Sequence, residues 1–78
     1  MVSLDLGNTQ ITDRGLVYLT GLTDLYELSL NDTAVSNDGL VHVAMLPRLE
    51  ILWLKNTKVT DDGVAKLERA LPSLTVKR

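Results

Sequence analysis

Cysteine is absent from the 78 residues, which excludes a disulfide framework, a cysteine-based zinc site and a thiol nucleophile. The compartment is left open by the same absence. Phenylalanine is absent too, and one tryptophan and two tyrosines are the only aromatics. The interior must therefore be aliphatic. Basic residues are outnumbered eight to ten by acidic ones, for a net charge of −2. No basic stripe can track a phosphate backbone, so nucleic acid is not an expected partner. No apolar run approaches the roughly 20 residues that cross a bilayer, so no membrane partner is expected. The N-terminus also lacks the basic-then-apolar pattern of a signal peptide. A chain complete as given is expected in the cytoplasm.

What is present is repetition. Leu4-Asp5-Leu6 returns as Leu28-Ser29-Leu30 and as Leu52-Trp53-Leu54, each 24 residues on. Thr9, Thr33 and Thr57 follow in phase, then Ile11, Val35 and Val59, then Asp13, Asn37 and Asp61, then Gly15, Gly39 and Gly63. A fixed period of this length, with apolar residues locked in phase, marks units that bury their apolar faces against their neighbours.

The middle copy shows the plan of one unit. Leu28 and Leu30 alternate with Glu27, Ser29 and Asn31, the two-residue period of a strand with leucines inward and polar groups outward. Asn31-Asp32-Thr33 are turn formers that end it. Ser36 stands at a helix N-cap position, as Thr12 and Thr60 do in the other copies. Leu40, Val43 and Leu46 then form a helical stripe, and Pro47 stops the helix. The third helix carries one extra residue before Leu71-Pro72. These patterns predict strands near 3–6, 27–30 and 51–54 and helices near 13–20, 37–46 and 61–70. Strand, turn, helix and return in one short unit requires parallel strands joined by right-handed crossovers.

Leu25, Leu28, Leu30 and Thr33, and again Leu49, Leu52, Leu54 and Thr57, spell Leu-x-x-Leu-x-Leu-x-x-Thr. This resembles the leucine-rich repeat. The phrases ITDRGL, VSNDGL and VTDDGV are similar to the Ile-Thr-Asp-x-Gly-Leu of its cysteine-containing and bacterial subclass, and LERALPSLTVKR to the closing repeat of planctomycete-like members. The resemblance implies an α/β fold, a right-handed β-α solenoid of about three repeats with parallel strands on its concave face and helices on its convex face. It implies a single domain over 1–78, with repeats near 1–24, 25–48 and 49–73 and a fourth strand (Leu74, Val76) beginning at 74–78. A trimmed domain or the tail of a longer protein is expected, because the capping segments of the family are missing. Thr9, Thr33 and Thr57 stand where the family places Asn or Cys, and an inward hydroxyl can bond the turn backbone instead.

Such folds bind protein partners on the concave strand face. Its outward positions are Ser3, Asp5 and Gly7; then Glu27, Ser29 and Asn31; then Ile51, Trp53 and Lys55. The expected function is a protein–protein interaction scaffold, with Trp53 and Ile51 as apolar anchor, Lys55 beside them and Glu27, Ser29, Asn31 and Asp5 setting register. A competing reading has Ile51 and Trp53 covered by a following repeat, the C-terminal tail or self-association. The alternative function is a structural module that packs on flanking repeats or self-associates through exposed edges of strands 1 and 3.

No catalytic constellation stands out. His42, the single histidine, falls on the convex surface in phase with Tyr18 and Lys66, with no nucleophile beside it. Asp13, Asp38, Asp61 and Asp62 fall at successive helix starts, where capping explains them better than a metal does. The repeated glycines are read as room for close approach between neighbouring coils. Tyr26 is expected half buried at the strand margin. Neither enzyme activity, cofactor nor metal is expected.

Overall fold

The computed structural model describes residues 2–78 and shows strands and helices alternating along the chain. Strand β1 (Val2–Asp5) leads to a short 3-10 helix (Gly15–Leu19), and β2 (Leu25–Ser29) to helix α1 (Asn37–Val43). Strand β3 (Ile51–Trp53) leads to helix α2 (Asp61–Ala70) and then to β4 (Thr75–Lys77). The strands form one parallel sheet in the order β1-β2-β3-β4. Leu4, Leu28, Leu52 and Val76 stand opposite one another across it. The 24-residue period of the sequence has become a register between strands.

The pairing outruns the strands. Leu6 N–H donates to the Ser29 carbonyl, Leu30 N–H to that of Trp53, and Leu54 N–H to that of Lys77, at 2.9, 2.9 and 2.7 Å. Behind the sheet α1 packs on both the 3-10 helix and α2. The space between holds Leu25, Leu28, Leu30, Leu52 and Leu54 from the sheet side, and Leu16, Leu40, Val43 and Leu67 from the helices. Leu28, Leu30 and Leu52 are 0% exposed, so the inward leucines of the sequence pattern are the interior.

The turn after each strand repeats as well. Asn8, Asp32 and Asn56 adopt φ of 55°, 58° and 58°, the left-handed region that Asn and Asp enter more readily than other side-chain-bearing residues. One position later Thr9, Thr33 and Thr57 donate their hydroxyls to the carbonyls of Leu6, Leu30 and Leu54 at 2.7, 2.7 and 2.9 Å. The threonine ladder therefore satisfies turn carbonyls as expected. Thr33 is the buried rung. Thr33→Val keeps the shape and removes the hydroxyl, leaving the Leu30 carbonyl without this donor. We expect a loss of about 1–2 kcal/mol in urea unfolding, and no loss would show the bond to be dispensable.

Three expectations are corrected. The segment near 13–20 is a 3-10 helix of five residues, closed by Gly15 and Leu16 N–H bonds to the carbonyls of Thr12 and Asp13. It is short, carries β-branched Val17 and, among the described residues, packs on a neighbouring helix on one side alone. A short helix draws its stability mainly from packing. Helix α1 stops at Val43, because Met45 and Leu46 bond three residues back and tighten the last turn ahead of Pro47. Strand 3 is not an edge: β4 pairs with it, and the edges among the described residues are β1 and β4.

The helix caps are corrected too. Ser36 and Thr60 hold the N-cap positions but make no side-chain cap bond. Their hydroxyls instead meet side chains earlier in the chain, Ser36 that of Asp13 and Thr60 that of Asn37. Arg14, not Thr12, precedes the 3-10 helix. The side chains of Asp13 and Asn37 thus bond residues 23 positions further along the chain instead of capping their own helices.

Candidate functional site

The face of the sheet turned away from the helices is built by alternation. Because the leucines point inward, the residues between them must point out. Two rows result: Ser3, Glu27, Ile51 and Thr75, then Asp5, Ser29, Trp53 and Lys77. A shallow depression in this face is lined by Ser3, Leu4, Asp5, Glu27, Ser29, Asn31 and Trp53. Five expected binding residues thus converge: Asp5, Glu27, Ser29, Asn31 and Trp53. Ile51 and Lys55 are not part of its lining. Ile51 is half-buried opposite Thr75, and Lys55 is exposed beyond the end of β3.

Trp53 is not a free ring. It is half-buried, and its indole N–H donates to Glu27 Oε2 at 2.8 Å. Lys77, its register partner on β4, holds Nζ 5.8 Å from the ring centroid, within the range of a cation–π contact. Glu27 also accepts a long bond of 3.5 Å from the Ser3 hydroxyl, so one carboxylate spans from β1 to β3. The C-terminal strand is what partly covers Trp53, as the competing reading had it. Lys77 escaped notice as a site residue, although its signal was available: it lies 24 residues beyond Trp53 in the strand begun by Leu74 and Val76.

Other polar groups of this face are partly spent on structure. Asp5 Oδ1 accepts the Gly7 N–H at 2.9 Å, and Asn31 Oδ1 accepts the Lys55 N–H at 2.7 Å. Asp5 and Glu27 make the β1–β2 half of the face acidic, whereas Lys55 and Lys77 make the other half basic. The arrangement can offer one aromatic edge, held in place, between carboxylates and ammonium groups.

Tyr26 lies elsewhere, half-buried in a groove with Asp24, Pro47, Arg48, Glu50 and Pro72 at the start of the strands. It does not extend the Trp53 surface. His42 is half-buried on α1. Sequence reasoning also passed over the helix side, where Val41 and Met45 are 66% and 65% exposed along a groove between α1 and α2. Their signal was an apolar residue one position outside the helical stripe.

The architecture is that of an α/β protein with a parallel four-stranded sheet, compatible with a leucine-rich-repeat fold. A family model described as Leucine Rich repeat matches residues 1–19, the span of β1, its turn and the 3-10 helix. A search of curated proteins returns no match.

Proposed function

We propose that the chain is a protein-binding scaffold that receives its partner on the open face of the sheet. Leucine-rich repeats commonly mediate protein–protein interaction, and the match over residues 1–19 supports that class. The observation that carries the reading is the half-buried Trp53 indole, tied to Glu27 beside a depression lined by Asp5, Ser29 and Asn31. An aromatic side chain already ordered by a hydrogen bond loses little rotamer freedom on binding, so more of its desolvation becomes affinity. Ile51 and Lys55 border this centre and add contact at its margin. The face works as a preformed platform in successive coils of a solenoid of about three repeats. Its polar rows fix the register of what binds. No enzymatic step is part of this reading.

The test uses the immobilised chain to capture proteins from cells that express it, with mass spectrometry of what is retained. Trp53→Ala and Glu27→Ala are expected to reduce retention of one protein by about tenfold to a hundredfold, the range for loss of an interface anchor. Lys66→Ala, exposed on the helix side, is expected to leave it unchanged. Because Trp53 touches Glu27 and Lys77, circular dichroism must first show that each variant is folded. Equal retention by folded Trp53→Ala would remove Trp53 from the site.

A further inference from the structure

A second kind of contact, separate from the open face, is written into the way the coils fasten to one another. Asp13 accepts the Ser36 N–H at 2.7 Å and also the Ser36 hydroxyl. Asn37 repeats this one coil on, accepting the Thr60 N–H at 3.0 Å and donating to the Thr60 hydroxyl at 2.8 Å. Three positions after each fastened residue stands a glycine. A Cβ at Gly39 would run into the Asp13 carboxylate, and one at Gly63 into the Asn37 amide. The missing side chains are what let each rung pass.

Asp61 is the third member of the series, and Arg78 meets it in place of a serine or threonine. The same guanidinium donates to the Val59 carbonyl at 3.2 Å. At the other end Thr12 and Gly15 occupy the positions of Ser36 and Gly39. A Cβ built at Gly15 meets the Ile11 side chain and no other coil among the described residues. One end thus presents a donor with its cleared glycine, and the other an acceptor filled by a substitute.

The strands repeat this relation. Thr75, Val76 and Lys77 stand against Ile51, Leu52 and Trp53 just as Glu27, Leu28 and Ser29 stand against Ser3, Leu4 and Asp5 in the same sheet. Val76 fills the leucine position with a smaller side chain and stays half-buried. Within the chain, Leu28, Leu30 and Val35 between two coils are 0% exposed. Their counterparts Leu4, Leu6 and Ile11 are only partly covered, and Val2 is 47% exposed. Among the described residues, the β1 side of the core is the less covered one.

We propose that this chain accepts a second copy head to tail once its own C-terminal strand is displaced. The second copy's β1 takes the place of β4 on β3, its Thr12 replaces Arg78 on Asp61, and its Gly15 clears the Asp61 carboxylate. Leu4, Leu6 and Ile11 of the incoming copy then close over Leu54, Val59 and Val64. The C-terminal strand is a displaceable occupant of this interface, and Arg78 is its latch. The contact is heterologous, so copies add one after another, as an open series or a closed ring.

The experiment compares the full chain with one shortened to end at Leu74, by sedimentation velocity at micromolar concentration. The full chain is expected as a monomer, and the shortened chain as a concentration-dependent series of dimers and larger species. Gly15→Leu in the shortened chain is expected to restore the monomer. In the full chain the same substitution is expected to leave the circular dichroism spectrum unchanged, because the Cβ it adds meets only the flexible Ile11 side chain. Should the shortened chain unfold, Val76→Asp combined with Arg78→Ala unseats β4 at full length and is expected to assemble likewise. A folded monomer in either case, or oligomers that survive Gly15→Leu, overturns the proposal. So does loss of fold in both, which would make β4 an integral strand.

Discussion

Leu28→Ala is expected to leave most of the protein unfolded at room temperature. Leu28 is 0% exposed, with Leu4 and Leu52 opposite it on the two flanking strands. Truncating such a leucine costs about 3–5 kcal/mol, the transfer term plus the cavity that remains. A single core in a chain of this size supplies roughly that much in total. Neighbouring side chains cannot collapse into the void easily, since the strands on either side hold Leu28 in register. Urea unfolding followed by far-ultraviolet circular dichroism reads the loss. A cost below about 1 kcal/mol would show that the leucine column is not the shared interior.

Gly63→Ala is expected to destabilise, against the ordinary trend. In an exposed helix the change from glycine to alanine is favourable by about 1 kcal/mol. Gly63 is buried in the first turn of α2, where an added Cβ lands on the side-chain oxygen of Asn37. That oxygen accepts the Thr60 N–H, so the collision also breaks the rung between coils. The expected loss is about 2–3 kcal/mol, combining overpacking with a lost hydrogen bond. The test of cause is a double-mutant cycle with Asn37→Ala. On that background the obstacle is gone, and Gly63→Ala should become neutral or stabilising. Equal costs on both backgrounds would mean that the glycine is needed for some other reason.

The extent to which the sequence announced this structure depends on the range of each interaction. The leucine columns were legible, because a two-residue alternation repeated in phase leaves one inward face. The purpose of Gly39 and Gly63 was legible for the same reason. What those glycines make room for was not: Asp13 to Ser36 and Asn37 to Thr60 span 23 residues, and local reading assigned Asp13, Ser36 and Thr60 to capping. Nor does a leucine stripe distinguish a 3-10 helix at Gly15–Leu19 from an α-helix, since neighbours decide that.

On the open face, strand alternation was enough to group Asp5, Glu27, Ser29, Asn31 and Trp53. It gave no hint that Glu27 would reach across to the indole. The cover supplied by Lys77 followed from the period, but only once the short closing stretch was treated as a full strand. That stretch absorbs an irregularity: α2 is longer than α1, yet Ile51 still pairs with Thr75 at the 24-residue interval. Register across the sheet overrode the longer helix.

Scalar couplings through hydrogen bonds, measured by NMR on the isotopically labelled chain, test the architecture most directly, because each coupling identifies the carbonyl that a given amide bonds. Couplings are predicted from Leu6 to Ser29, from Leu30 to Trp53 and from Leu54 to Lys77. Amide-to-carbonyl pairs running in antiparallel order, or offset by one residue so that the leucines face outward, would contradict it.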